Sequence, residues 1–392
     1  MSTFKDPEIQ EIDDYLSRNA DASLTYFDEK LEEHPDNVYI LSMKAISLID
    51  NFQSARSVIA KIKKQKDSDY ASYGLLANGK LKFFKNQLPE AIQLYKKALD
   101  LDKNNKWAHY YLYECYKSID SSFHSEEIME QGELNTELEV YSDHLYNILQ
   151  TDPNFYLALL EIVSELSEDQ EYLKIKELLE KADSDIIKDE LAYYLGESYY
   201  KTRNYLEAHH ILIDNIKDNP RWKSFTMLGY LDKHVKDIVA DENRIDAEEC
   251  FKYAHDMDEL QLEPLYGLGE LYIEKKKYED AVDIYTMLVD EYGDDECNFE
   301  IALLKLNLQE SASVEQELNR FGSLDPYFQR QSDLLKKIYK DHTSYNKNQL
   351  LEFGEKLEKI SSSAQYELIS SLLTRIVANR TDYIIDDLLN ED

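Results

Sequence analysis

A self-similar unit of about 34 residues recurs along this chain, and no other feature narrows its fold so far. The clearest copy begins at Asp189. Its first segment carries Leu195, Gly196 and Tyr199, its second Tyr205, Ala208 and Leu212, and Pro220 closes it. A second copy near Leu262 repeats the offsets with Leu268, Gly269, Tyr272, Tyr278, Ala281 and Tyr285, and has Gly293 where the first has Pro220. Both segments show the 3.6-residue apolar period of an amphipathic helix, so each unit reads as a helix pair. Gly and Ala let the two helices approach, Tyr and Leu fill the seam, and Pro or Gly stops the second helix. Such a unit cannot bury its apolar face alone, so neighbouring units must stack.

Weaker copies continue the register. Near Ser72 the unit keeps Gly79, Leu88, Ala91, Tyr95 and Ala98, with Lys103 at the closing position. Near Lys106 a first helix keeps Leu112 and Tyr116, and residues 144–154 supply its displaced second helix. The unit near Tyr156 has Ile162, Leu166, Ile175, Leu179 and Ala182 at its apolar offsets. Leu228 and Gly229 near Trp222 are answered by Ala247, Phe251 and Ala254, while near Asp36 and Glu296 the pattern survives mostly as apolar periodicity. The expected organisation is a helical cap over 1–35, a repeat array over 36–325 and a helical extension or cap over 326–392. An acidic insertion falls near 120–138: Asp120 to Asp143 holds eight acidic residues and no Lys or Arg. A smaller insertion lies around Lys236 to Glu242. Insertions in such arrays map to loops on one face and are frequent binding places. The acidic stretch Tyr383 to Asp392 suits a polar terminal cap, with an interaction tail as the rival reading.

At these offsets (Leu-Gly, then Tyr, then Tyr-x-x-Ala, then Pro) the units resemble the tetratricopeptide repeat (TPR) family over roughly residues 20 to 325. The resemblance implies an all-α fold, a right-handed superhelical solenoid of antiparallel helix pairs. It also implies that the first helix of each pair lines a concave surface, with its second, fifth, ninth, twelfth and thirteenth positions facing a ligand. Those positions hold Trp107, Tyr110 and Glu114, then Tyr193, Glu197 and Tyr200, then Tyr266, Glu270 and Glu274. Aromatic faces alternating with carboxylates suit a Lys- or Arg-containing segment: the carboxylate takes the cation and the ring covers its aliphatic stem. Chaperone-binding members of the family present Lys and Asn there, and this chain does not.

Composition limits the function classes. The 392 residues contain 79 Asp plus Glu against 44 Lys plus Arg, a formal charge of −35. Nucleic acids and anionic membranes are disfavoured as partners and a basic protein or peptide is favoured, because like fields oppose encounter and opposite fields steer it. With 10 glycines and 7 prolines, a sheet-rich fold lacks its turn punctuation. No window reaches the ~20 apolar residues that span a bilayer, and the first residues do not read as a signal peptide. Cys115, Cys250 and Cys297 are far apart, form no CxxC pair and point to the cytoplasm.

Catalytic signatures are missing: GxGxxG, the Walker loop, HExxH and GxSxG do not occur. His209 and His210 are adjacent and diverge by about 100° on a helix, and His255 stands at a helix end where it answers the dipole. No cofactor, metal or catalytic residue is expected. The leading expectation is a non-catalytic scaffold or adaptor that binds a partner in an acidic, Tyr/Glu-lined groove. A peptide-sensing regulator resembling the bacterial Rap family is one alternative, although the repeats begin too early for that family's N-terminal bundle. An assembly factor or subunit of a larger complex is another.

Overall fold

The computed structural model describes residues 6–18, 22–65, 70–120, 141–183, 185–237, 239, 244–310, 312–340, 342–359 and 361–379. The acidic insertion beyond Asp120, most of the segment Lys236 to Glu242 and the stretch Tyr383 to Asp392 lie outside the described residues. Among those described there are 21 α-helices and no strand, so the fold is all-α. None of these helices is long and apolar enough to cross a membrane.

The chain divides into two compact units, Met1–Asn204 and Tyr205–Asp392. The first holds α1 (Pro7–Arg18), α2 (Leu24–Glu33), α3 (Val38–Asp50), α4 (Arg56–Ile62), α5 (Ala71–Phe84), α6 (Leu88–Leu101), α7 (Lys106–Asp120), α8 (Asp143–Thr151), α9 (Tyr156–Glu168), α10 (Tyr172–Leu179) and α11 (Asp189–Lys201). Here α3 packs on α4, α5 on α6, α7 on α8 and α9 on α10, while α3, α5 and α7 also touch in sequence. Packing of α8 on α7 restores the pair that the acidic insertion separates in the chain. Tyr39, Tyr95, Tyr113, Tyr116 and Phe155 are fully buried, so tyrosine rings make up much of this core.

The second unit holds α12 (Tyr205–Asp218), α13 (Trp222–Val235), α14 (Ala247–Met257), α15 (Glu263–Glu274), α16 (Tyr278–Asp290), α17 (Asn298–Asn307), α18 (Val314–Leu324), α19 (Pro326–Tyr339), α20 (Lys347–Glu358) and α21 (Ser363–Ala378). Pairs α13/α14, α15/α16 and α17/α18 follow one another, and α19 to α21 continue the packing. Then α21 returns against α17 and α15. Arg375 donates to the carbonyls of Leu306 and Asn307, satisfying acceptors that the end of α17 leaves without intrahelical partners. Capping boxes at Asn346 and Ser362 begin α20 and α21, each satisfying two orphan donors.

Two features follow from the repeat. The small residue of the first helix makes room for a ring: a Cβ on Gly79 would stand 2.4 Å from Tyr95, and one on Gly269 2.8 Å from Tyr285. The sequence reading has those glycines bringing helices together, and the structure fills the gap with the partner helix's tyrosine. Each described turn between first and second helix also repeats one geometry. Phe52, Asn86, Gln170, Arg203, Lys276 and Gln309 have φ between 55° and 65°. In each case the following N–H reaches back five residues, as Gln53 N to Leu48 O and Lys277 N to Tyr272 O. This is the Schellman closure, usually made by glycine. Here six side chains take the left-handed conformation at some cost in strain.

Candidate functional site

Trp107 belongs to a row. Tyr39, Tyr73 and Trp107 are 34 residues apart at one repeat offset on α3, α5 and α7, and the rings of Tyr39 and Tyr73 meet edge-on at 4.8 Å. Helix α1 covers this row. Its Ile9, Ile12 and Leu16 are buried, and Asp13 between them is fully buried. Asp13 Oδ1 accepts from Tyr39 Oη at 2.7 Å and from Trp107 Nε1 at 3.0 Å, and its Oδ2 lies 2.7 Å from Lys106 Nζ. Lys106 also reaches Asp152 at 2.6 Å. Burial would lower the Lys106 pKa, but Asp13 and Asp152 outweigh it and hold it above the usual value. A buried ion pair of this kind persists because every member is also hydrogen-bonded. Arg18 ends α1 on Asp183 and Asp185 at 2.9 and 2.8 Å. Trp107, 4% exposed, therefore turns to α1 of its own chain and not to open solvent. Tyr110 is buried too, its ring 5.8 Å from that of Phe155.

Glu114 is taken by a lysine of the preceding repeat. Lys80 Nζ lies 3.0 Å from Glu114 and 3.3 Å from Asp50, and 5.0 and 5.4 Å from the ring centres of Tyr111 and Phe83. Two carboxylates and two aromatic faces thus enclose one ammonium. Burial raises the Glu114 carboxyl and Lys80 opposes that rise. Lys80 and Glu114 are also 34 residues apart, so one repeat holds the cation and the next its counter-ion. Beside this cage, a cavity of about 740 Å³ is lined by Leu16, Phe27, Met43, Lys80, Tyr110 and Glu114, among others.

Tyr193, Glu197 and Tyr200 are half-buried on α11. Ser167 donates to Glu197 at 3.2 Å, the Tyr193 ring lies 5.5 Å from Tyr194, and the Lys201 ammonium stands 5.9 Å from the Tyr200 ring centre. Three intramolecular neighbours thus engage the three expected side chains.

In the second unit the expected trio separates. Tyr266 is half-buried and donates its hydroxyl to Asp294. Glu274 pairs with Lys233 at 3.1 Å, both largely exposed. Glu270 is exposed and makes no hydrogen bond or ion pair among the described residues. It lines a small hollow with Tyr230, Lys233, Phe251, Leu271 and Glu274. Desolvation in the hollow raises its carboxyl, with Lys233 opposing and Glu274 assisting.

Sequence reasoning missed both Lys80 with Asp50 and the part played by α1. The row Tyr39/Tyr73/Trp107 and the step from Lys80 to Glu114 carried the signal, since residues at one repeat offset stack as neighbours. His209 is buried with its pKa lowered by that burial, which makes it a core histidine. No group of three or more metal-ligating side chains forms among the described residues.

These helix pairs with a repeated turn geometry define an all-α repeat array among the described residues. The TPR repeat family model matches residues 79–112, from the last turn and a half of α5 to the first half of α7. No curated protein matches it by sequence. It is similar to the solved APC/C hetero-tetramer Cut9–Hcn1, at 14% identity over 82% of this chain and 68% of that one, with a TM-score of 0.41. It is similar also to yeast Tom70, at 12% identity over 94% and 88%, with a TM-score of 0.38. A monomeric IFIT1 mutant with Gppp-AAAA gives 17% over 77% and 58%, at 0.31.

Proposed function

We propose that this chain is a scaffold whose second unit holds a cationic segment of a partner protein, with Glu270 as the receiving carboxylate and Glu274 and Tyr230 beside it. The observation that carries this is Glu270, an acceptor without a hydrogen-bond or ion-pair partner among the described residues, in a hollow that raises its pKa. A carboxylate so placed gains from a cation that restores its charged form. Support comes also from Lys80, which is held by Glu114 at the repeat position that Glu270 occupies on α15. The chain binds an ammonium of its own with the same residue types, so the chemistry suits its repeats. The buried free thiols of Cys115, Cys250 and Cys297 suit a reducing compartment such as the cytoplasm.

The test is fluorescence polarisation with labelled Lys/Arg-containing 12-residue peptides and matched Glu-containing controls, at low and high salt. The basic peptides should bind, weaken as salt rises, and lose roughly tenfold in affinity for the Glu270→Gln/Glu274→Gln variant, about 1.4 kcal/mol. Equal affinity for both proteins would remove the assignment.

A further inference from the structure

The strongest anomaly on the first unit's surface is aromatic. Phe52 is 84% exposed and Phe84 52% exposed, and their rings meet edge-on with centroids 5.6 Å apart. Phe52 is also one of the six turn residues with positive φ, at 57°. The other five are Asn, Gln, Arg, Lys and Gln, side chains that lose little by facing water. A bulky aromatic in the left-handed region is strained, and this one recovers almost nothing by burial.

The charge around the pair reverses the character of the chain. From Arg56 to Lys97 there are ten basic residues and three acidic ones, within a molecule of formal charge −35. Arg56, four residues beyond Phe52, and Lys85, next to Phe84, are exposed and make no ion pair among the described residues. Along α4 and α6 and just beyond the end of α4, Lys61, Lys63, Lys64, Lys96 and Lys97 are exposed as well. Asp50, the acid nearest in sequence, is engaged by Lys80 at 3.3 Å. Net charge alone hides this surface.

We propose that Phe52 and Phe84, flanked by Arg56 and Lys85, form a docking site for an acidic protein segment that inserts an aliphatic or aromatic anchor between the two rings. Exposed aromatic pairs supply binding energy at low entropic cost, and the flanking cations select carboxylates and set the encounter rate. A long nucleic acid fits less well, since its polyanionic length must pass the acidic remainder of the chain. This surface is distinct from the Glu270 hollow, and the two select partners of opposite charge.

The experiment uses the full chain and labelled 12-residue peptides with a Leu-x-x-Phe anchor between Asp/Glu flanks. Controls replace the flanks by Lys or the anchors by Ser, and a 12-nucleotide single-stranded RNA serves as the competing polyanion. The acidic anchored peptide should bind in a salt-sensitive way, and both controls at least tenfold more weakly. Phe52→Gly should lose tenfold or more in affinity while its melting temperature stays level or rises, because glycine relieves the turn. Arg56→Glu/Lys85→Glu should lose binding too, and Glu270→Gln/Glu274→Gln should keep it, which separates this site from the other. The proposal is overturned if Lys-flanked peptides bind equally well, or if the RNA binds and the peptides do not. It is also overturned if Phe52→Gly melts lower with affinity intact, or if the wild type is a dimer that Phe52→Gly converts to monomer.

Discussion

Glu300 on α17 shows how far one side chain can bias a unit of this size. It accepts a hydrogen bond from Gln365 Nε2 at 2.5 Å, and burial pushes its carboxyl up to about 7, against an ordinary 4.5. The folded state therefore binds a proton more avidly than the unfolded chain between about pH 4.5 and 7. Glu300 weighs against folding above pH 7, and that handicap fades as pH falls through the window. His209 and His234 act in the opposite sense, because burial lowers both and stability drops as they are forced to charge below their unfolded value. Comparison of Glu300→Gln with wild type isolates the carboxylate. The variant should be more stable by roughly 1–3 kcal/mol at pH 8, with the difference vanishing near pH 4.5, as measured by urea unfolding across that range. A constant difference at all pH values would show that the carboxyl titrates as it does in water.

Helix α1 is the element whose role sequence could least supply. Its apolar spacing marks Ile9, Ile12 and Leu16 as a buried stripe, but nothing local tells Asp13 to meet Trp107 94 residues away. The repeat offsets were legible because they are local rules: small residue, aromatic, turn. Those same offsets put Trp107, Tyr110 and Glu114 one turn apart along α7, yet what covers them depends on the non-local placement of α1 and Lys80. For the same reason the Glu270 hollow was half legible, as a position but not as an unpaired acceptor. Asp13→Asn tests the α1 lock. The amide oxygen can still accept from Tyr39 and Trp107, but Lys106 loses one of its two carboxylates and keeps only Asp152 and the Ser17 hydroxyl, and part-broken buried pairs are costly. We expect a loss of about 1–3 kcal/mol by urea unfolding and increased solvent access at Trp107, read by quenching of its fluorescence in a Trp222→Phe background. Unchanged stability and quenching would mean that α1 is held by its apolar stripe only.

Across the whole molecule, charge is unevenly spread: the formal −35 coexists with a cationic surface on α4 and α6. Self-repulsion of so large a net charge opposes compaction, and salt screens it. The exposed ion pairs, such as Lys233–Glu274 and Lys340–Glu315, are each worth at most about 1 kcal/mol, so their weakening cannot offset that relief. Raising salt from about 20 to 300 mM, a change of the Debye length from roughly 20 to 6 Å, should raise the melting temperature, and a fall would show that ion pairing outweighs repulsion. The seat of α1 has a consequence in time. A repeat array can otherwise settle pair by pair as it is synthesised, but Asp13 must wait for Trp107, 94 residues later. At about 5–20 residues per second that delay is roughly five to twenty seconds, during which Tyr39 and Tyr73 lie uncovered. A newborn chain therefore displays an apolar face that the finished protein hides, open to a folding helper or an assembly partner only while translation is still under way.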